Sequence, residues 1–254
     1  EFLVEARLRI PFGGNEDKGQ HPLPMYKRLV QQPVRDVDIV VQGAQTTQTT
    51  TSNVINTENG SQQRILTVDN SAAAGGNGTT TTPYNTLAAA KAAAAAGDII
   101  YVRYGDGTST GMNSGLTLNL DGLSLIGSGV ALAYDSSRMS LGGGGFAIPD
   151  GTVILARGLA PVITNTAATS DILTITADDV LVSGVTLNNA TRYGIAMSVS
   201  GAGNNTNGTI LRDMSILSSA SNGLNVSAAT SAVVNGLTLD GVTIDNGGAI
   251  GLSL

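Results

Sequence analysis

The sequence predicts an all-β chain built mainly as a parallel β-helix, a solenoid of stacked coils. Apolar triplets recur along it at a near-constant spacing. Val182, Val185 and Leu187 in LVSGVTL return 29 positions on as Leu211, Met214 and Ile216, and 28 further on as Leu239, Val242 and Ile244. A second set, Ile195, Met197 and Val199, returns after 29 positions as Leu224, Val226 and Ala228, and after 26 as Ile250, Leu252 and Leu254. Two interleaved strand families with one period suit stacked coils, because no single coil can hide its own apolar face. Composition agrees, since 33 Gly, 4% aromatic and 13% charged residues are far from an ordinary globular mix.

At 254 residues the chain can bury a substantial core in one or two domains. It has no run of eighteen apolar residues that would make a transmembrane helix. Glu1 to Ile10 shows neither the basic start nor the apolar centre of a secretory signal. The pattern is already running at the first residue and still running at the last, so an excerpt of a longer protein is expected. Net charge is −6, and residues 1–40 are balanced. The excess acid therefore lies in the remainder, almost all of it Asp, which suits turns better than helix faces. An acidic body argues against a nucleic-acid partner. The absence of Cys excludes a disulfide framework and a thiolate metal site.

In chain order, the first element is Glu1 to Phe12. Its even positions are Phe2, Val4, Ala6, Leu8, Ile10 and Phe12, opposite Glu5, Arg7 and Arg9. Such alternation predicts a strand with one apolar and one charged face. A membrane barrel would put the apolar face on lipid, and about ten residues suffice to span. A half-buried strand of a soluble sheet fits the alternation alone at least as well. The text that follows, HPLPMYKRLVQQPVRDVDIVVQ at 21–42, adds more. With ARLRIPFGG at 6–14 it resembles the end of the barrel of inverse autotransporters, the intimin and invasin group. Met25, Arg28, Leu29, Val30, Pro33, Val34, Arg35, Asp36, Val37, Asp38 and Ile39 stand at the places of that group's motif. The resemblance covers residues 1–42. It implies a last strand of an outer-membrane β-barrel, a segment threading the lumen, and a passenger displayed C-terminal to it at the cell surface. Arg35, Asp36 and Asp38 would then be lumen or pore-exit contacts.

Residues 43–64 read as a flexible polar linker, because GAQTTQTTTSNVINTENG has too few apolar anchors to offset its ordering entropy. The passenger is expected over 65–254. ILTVDN (65–70) reads as a strand, and Ser71 to Thr82 as a Gly/Thr loop. In PYNTLAAAKAAAAAGDIIYV (83–102), Thr86 is placed to cap a short Ala-rich helix that Gly97 ends, and Asp98 opens a buried strand, Ile99 to Val102. This stretch resembles the N-terminal cap of pectate-lyase-like right-handed β-helices, and a solenoid end does need a cover for its core. LDGLSLIG (120–127) and ILTI (172–175) read as earlier members of the two strand families. Ser198, Ser227 and Ser253 are expected to stack on one outer face, and Thr186, Ser215 and Thr243 on another. Gly184, Asp213 and Gly241 mark a bend that needs a permissive backbone. Pairing should be parallel, and winding right-handed by the crossover rule.

The residues of the array that could carry chemistry are Asp178, Asp179, Arg192, Arg212, Asp213, Asp240 and Asp245. Glycoside hydrolysis needs two converging carboxylates, and lyases need acids for calcium with a base. Asp178 and Asp179 fall at a turn, while Asp213 and Asp240 fall at neighbouring steps of the bend, so turn capping is the expected use. Arg192 and Arg212 could meet on one face. The only His, His21, lies outside the array, which excludes a His-dependent base there. YGDGTSTG (104–111) and the GGGG at 142–145 match no calcium or phosphate loop. No catalytic, cofactor or metal site is expected, and the chain is more readily a non-enzyme than an enzyme. The expected role is an adhesin-like or stalk passenger that meets an unidentified surface, glycan or protein ligand. The alternative is a surface-tethered polysaccharide lyase or hydrolase. Tyr101, Tyr104, Tyr134, Tyr193 and Phe146 are the aromatics that could make a sugar platform.

Overall fold

A computed structural model describes residues 53–142, 148–167, 169–199, 205–228, 232–245 and 250–254. They belong to one compact unit, Thr50–Leu254. The expected barrel strand at 1–12, the motif at 25–39 and residues 43–52 of the expected linker lie outside the described residues, as does Phe146.

The described body is all-β apart from one seven-residue helix, and its strands are mostly parallel, as in a β-helix. Three parallel sheets form its faces. The first stacks Ile65–Val68, Ile99–Val102, Ser124–Gly127, Leu181–Ser183, Ile210–Arg212 and Thr238–Asp240. The second stacks Val162–Ile163, Thr186–Asn188, Ser215–Leu217 and Thr243–Asp245. The third stacks Leu116–Leu118, Leu173–Ile175, Ile195–Val199, Leu224–Ala228 and Leu252–Ser253. Successive coils add strands in register within each face, so equivalent residues fall in rows along the axis. Leu66, Ile100, Leu125, Val182, Leu211 and Leu239 form one such row. Ile163, Leu187, Ile216 and Ile244 form another, and Leu116, Leu173, Ile195, Leu224 and Leu252 a third. These rows meet inside as one apolar core. Each fully buried Leu, Ile or Val in it contributes roughly 1.5–3 kcal/mol.

The third row corrects one sequence expectation. Leu224 pairs with Leu252, not with Ile250, so the last repeat is 28 positions and not 26. A two-residue slip keeps every side chain on its own face, so the apolar pattern alone cannot detect it. Accordingly the backbone of Ser198 pairs with that of Ser227, but Ser253 sits beside Asn225. The row of Thr186, Ser215 and Thr243 is as expected.

The helix Leu87–Ala93 closes the N-terminal end of the core with Leu87 and Ala90. Thr86 caps it, its side chain accepting from the Ala89 N–H. Its C-terminus is earlier than expected. Ala94 is already extended, and Gly97, with φ of 70°, belongs to the turn that follows. The Ala run yields to tertiary bonds there. The Ala95 N–H donates to Asp98 Oδ2 at 2.7 Å, and Asn56 and Asn59 both donate to the Ala96 carbonyl.

Two further features depart from the sequence reading. Residues 53–64 were expected to end a spacer, yet Asn53–Asn56 pairs antiparallel with Met139–Gly142. Asn56 is buried and bonded, and Arg64 pairs with buried Asp98 at 2.8 Å. Side-chain amides add to the anchoring that the strand ladder and Val54, packed against the second core described below, already give. Secondly, the steps from Leu125 to Val182 and from Leu118 to Ile175 span 57 positions, about two coils. The excess is an insertion between Gly127 and Val162 in which Leu132–Ala133 pairs antiparallel with Val153–Leu155. It lies over the outside of the first face. Ile99, Tyr101 and Ile126, which point outward, join Leu132, Tyr134 and Met139 in a second, smaller core. Among the described residues no helix is long and apolar enough to cross a membrane.

Candidate functional site

A solenoid of this cross-section must turn sharply between faces, and the turns account for most of the acids singled out in the sequence. Before the first face, Gly122, Asp179, Gly208 and Gly236 share a left-handed backbone, with φ of 68°, 54°, 67° and 68°. After it, Gly184, Asp213 and Gly241 do the same at 67°, 48° and 63°, and after the second face Asn189 and Ser218 at 56° and 53°. Asp, Asn and Ser stand where Gly would otherwise be demanded. In two rows an Asp is followed one coil later by Gly for a steric reason. A Cβ on Gly208 would lie 2.0 Å from Asp179 Oδ1, and one on Gly241 2.7 Å from Asp213 Oδ1. The missing side chain leaves room for the carboxylate of the coil beneath.

The remaining carboxylates lock loops. Asp178 accepts from the Asn207 N–H at 2.8 Å, and its own N–H donates to Asp121 Oδ1 at 3.0 Å. Asp69, Asp106 and Asp135 each accept from an N–H two residues on, and Asp150 from that of Ser136. Buried Asp171 is held by Arg192, whose Nε donates to Oδ1 at 2.7 Å. That bond raises the Arg192 guanidinium above its ordinary value, although burial opposes it. Arg212 pairs with Asp240 at 3.2 Å. Arg192 and Arg212 therefore serve different carboxylates on different faces and do not form one site. Asp245 ends the second face opposite Leu217. Among the described residues no group of three His, Cys, Asp or Glu side chains is arranged to hold a metal ion.

Of the possible sugar platforms, Tyr101 and Tyr134 are buried in the second core, where the Tyr134 hydroxyl donates to the Met139 carbonyl. Burial raises the Tyr101 phenol above its ordinary value. Tyr193 lies under the Arg192 guanidinium, 4.9 Å from it to the ring centre, and Tyr104 is exposed.

A groove of about 440 Å³ remains, lying between the insertion and the turn that joins the first face to the second. Arg157 and Ala160 line it from the insertion, Asp213 from the turn, and Thr186, Ser215 and Thr243 from successive coils. The hydroxyl row and Asp213 were visible in the sequence, but as outer-face and turn positions. Arg157 was not singled out, because GTVILARGLA carries no motif. The doubled 57-position step is the signal that could have marked the insertion.

No family model matches the chain, and no curated protein matches it in sequence. Among solved structures, a rhamnogalacturonan lyase is similar at a TM-score of 0.42 and 12% identity, over 70% of this chain and 51% of that one. The chain thus spans about half of that protein's length, and at that score nothing is carried from one to the other.

Proposed function

We propose that this chain is the solenoid passenger of an inverse autotransporter, held at the outer membrane by a barrel to which residues 1–42 belong. Displayed at the cell surface, it serves as an adhesin-like binding module or stalk. Winding is taken as right-handed. The motif at 25–39 supports the display half of this reading, and the use of the carboxylates favours a module or stalk over an enzyme. Those of Asp98, Asp171, Asp178 and Asp240 are engaged with Arg or Asn partners, and those of Asp69, Asp106, Asp135 and Asp150 hold backbone N–H groups. Such use builds a regular, durable coil, while hydrolysis needs two carboxylates turned towards a common bond.

The test is surface proteolysis of intact cells that express the parent protein with an epitope tag after Gly43. Removal of the tag and of everything C-terminal to it is the expected result. A tag protected until the outer membrane is opened would contradict display. A polysaccharide-active enzyme is the second reading, favoured by the presence of Arg157 and Asp213 in one groove. Release of new chain ends from polysaccharide substrates by the purified chain would put it first.

A further inference from the structure

We propose that the groove beside the insertion binds a neutral, extended oligosaccharide laid along the solenoid axis. The inference names a ligand class for the binding-module reading and rests on it in that sense alone. Volume comes first: about 440 Å³ lies within the roughly 300–1,000 Å³ that small-ligand sites occupy. Spacing comes second. Thr186, Ser215 and Thr243 stand in register on three successive coils, and hydrogen-bonded strands repeat every 4.8 Å or so. An extended pyranose chain advances by a similar length per residue, so each coil offers one hydroxyl to each sugar. Complementarity comes third. A guanidinium only donates, a carboxylate only accepts, and a Thr or Ser hydroxyl does both. Arg157, Asp213 and the hydroxyl row therefore match vicinal diols, which also donate and accept.

Charge decides between classes of saccharide. Arg157 and Asp213 line the same groove with opposite signs, so the site holds no excess positive charge for a uronate or phosphate. Ala160 and Val130 supply apolar surface for the C–H faces of the rings. The walls are also arranged around the space. Gly129 could carry no side chain, because a Cβ there would lie 2.5 Å from the Gly184 carbonyl oxygen and 2.8 Å from the Ala160 Cβ.

The experiment is calorimetric titration of the purified chain with cellohexaose, mannohexaose and a galacturonate hexamer. Arg157→Ala and Asp213→Asn are titrated in parallel. Asn tolerates the left-handed backbone at 213, and Arg157 is exposed, so both variants are expected to keep the wild-type circular dichroism. The expected result is binding of a neutral hexamer that weakens about tenfold or more in each variant, which corresponds to at least 1.4 kcal/mol. Unchanged affinity in both variants, tighter binding of the galacturonate hexamer, or no heat with any hexamer at millimolar concentration would each overturn the proposal. Because the titration uses purified chain, its failure leaves surface display untouched. A failure of display likewise leaves the titration standing.

Discussion

At the turns, single residues govern whether one coil can follow another. Gly208 combines a φ of 67° with an absent Cβ that would otherwise meet the Asp179 carboxylate. Gly208→Ala is expected to lower stability by about 1–3 kcal/mol, read from the urea midpoint, because backbone strain and collision add. Ser218→Gly, at a φ of 53°, should instead lie within about 0.5 kcal/mol of wild type or above it. Asp171 is buried beneath half-exposed Arg192, so Arg192→Ala strands a carboxylate from one side only. Allowing for the solvent around the guanidinium, a loss of about 1–2 kcal/mol is expected in the same assay. Asp106 shows a pH effect with a definite sign. Its carboxyl lies below the usual range, chiefly through the Thr108 N–H and then the Thr108 hydroxyl. A lowered folded-state value means that this stabilisation is complete above the unfolded value and is lost as pH falls through the folded one. A carboxyl NMR titration should give Asp106 a midpoint below that of an ordinary Asp, and Thr108→Val should raise it. An unmoved midpoint in the variant would show that the hydroxyl has no part.

Elements differ in how far the sequence announced them. The strand rows were legible because inward positions must be apolar on every coil, which leaves the repeat of Val182, Leu211 and Leu239 in plain view. The N-cap at Thr86 was legible because a hydroxyl before an Ala run has one economical use. Thr86→Ala should cost about 1 kcal/mol, measurable by thermal unfolding. Register within the last repeat was not legible, since a slip of two leaves the pattern intact. Nor was the attachment of residues 53–64, which depends on Asn56 and Gln63 meeting carbonyls of residues far along the chain. Asn56→Ala would leave the Glu58 N–H without its side-chain acceptor and the Ala96 carbonyl with Asn59 alone, and should cost about 1–3 kcal/mol. The candidate groove was half legible. Its hydroxyl row follows the repeat, but Arg157 arrives on an insertion that obeys no period.

Across the whole molecule, stacking predicts a gradient of burial. Leu211 is fully buried in the row where Leu239 is 41% exposed, and Leu224 is fully buried where Leu252 is 40% exposed. Leu211→Ala should therefore cost about 2–5 kcal/mol and Leu239→Ala distinctly less, measured side by side in urea. Equal losses would mean that the last described coil is as enclosed as those before it. Beneath the account of the solenoid and its groove lies the claim that the 57-position step is one coil interrupted by an insertion, which puts Thr117 directly beside Thr174. The chain has no Cys, so a pair introduced at these outward positions reports on that contact alone. Neighbouring strands stand about 4.8 Å apart, inside the Cα separation that a disulfide bridges. Asn225 stands three strands away from Thr117, at roughly 14 Å, too far to bridge. Under mild oxidation the Thr117→Cys, Thr174→Cys protein should form its disulfide in the folded state, while the Thr117→Cys, Asn225→Cys protein should not. A free 117–174 pair, or a bridged 117–225 pair, would contradict the stacking.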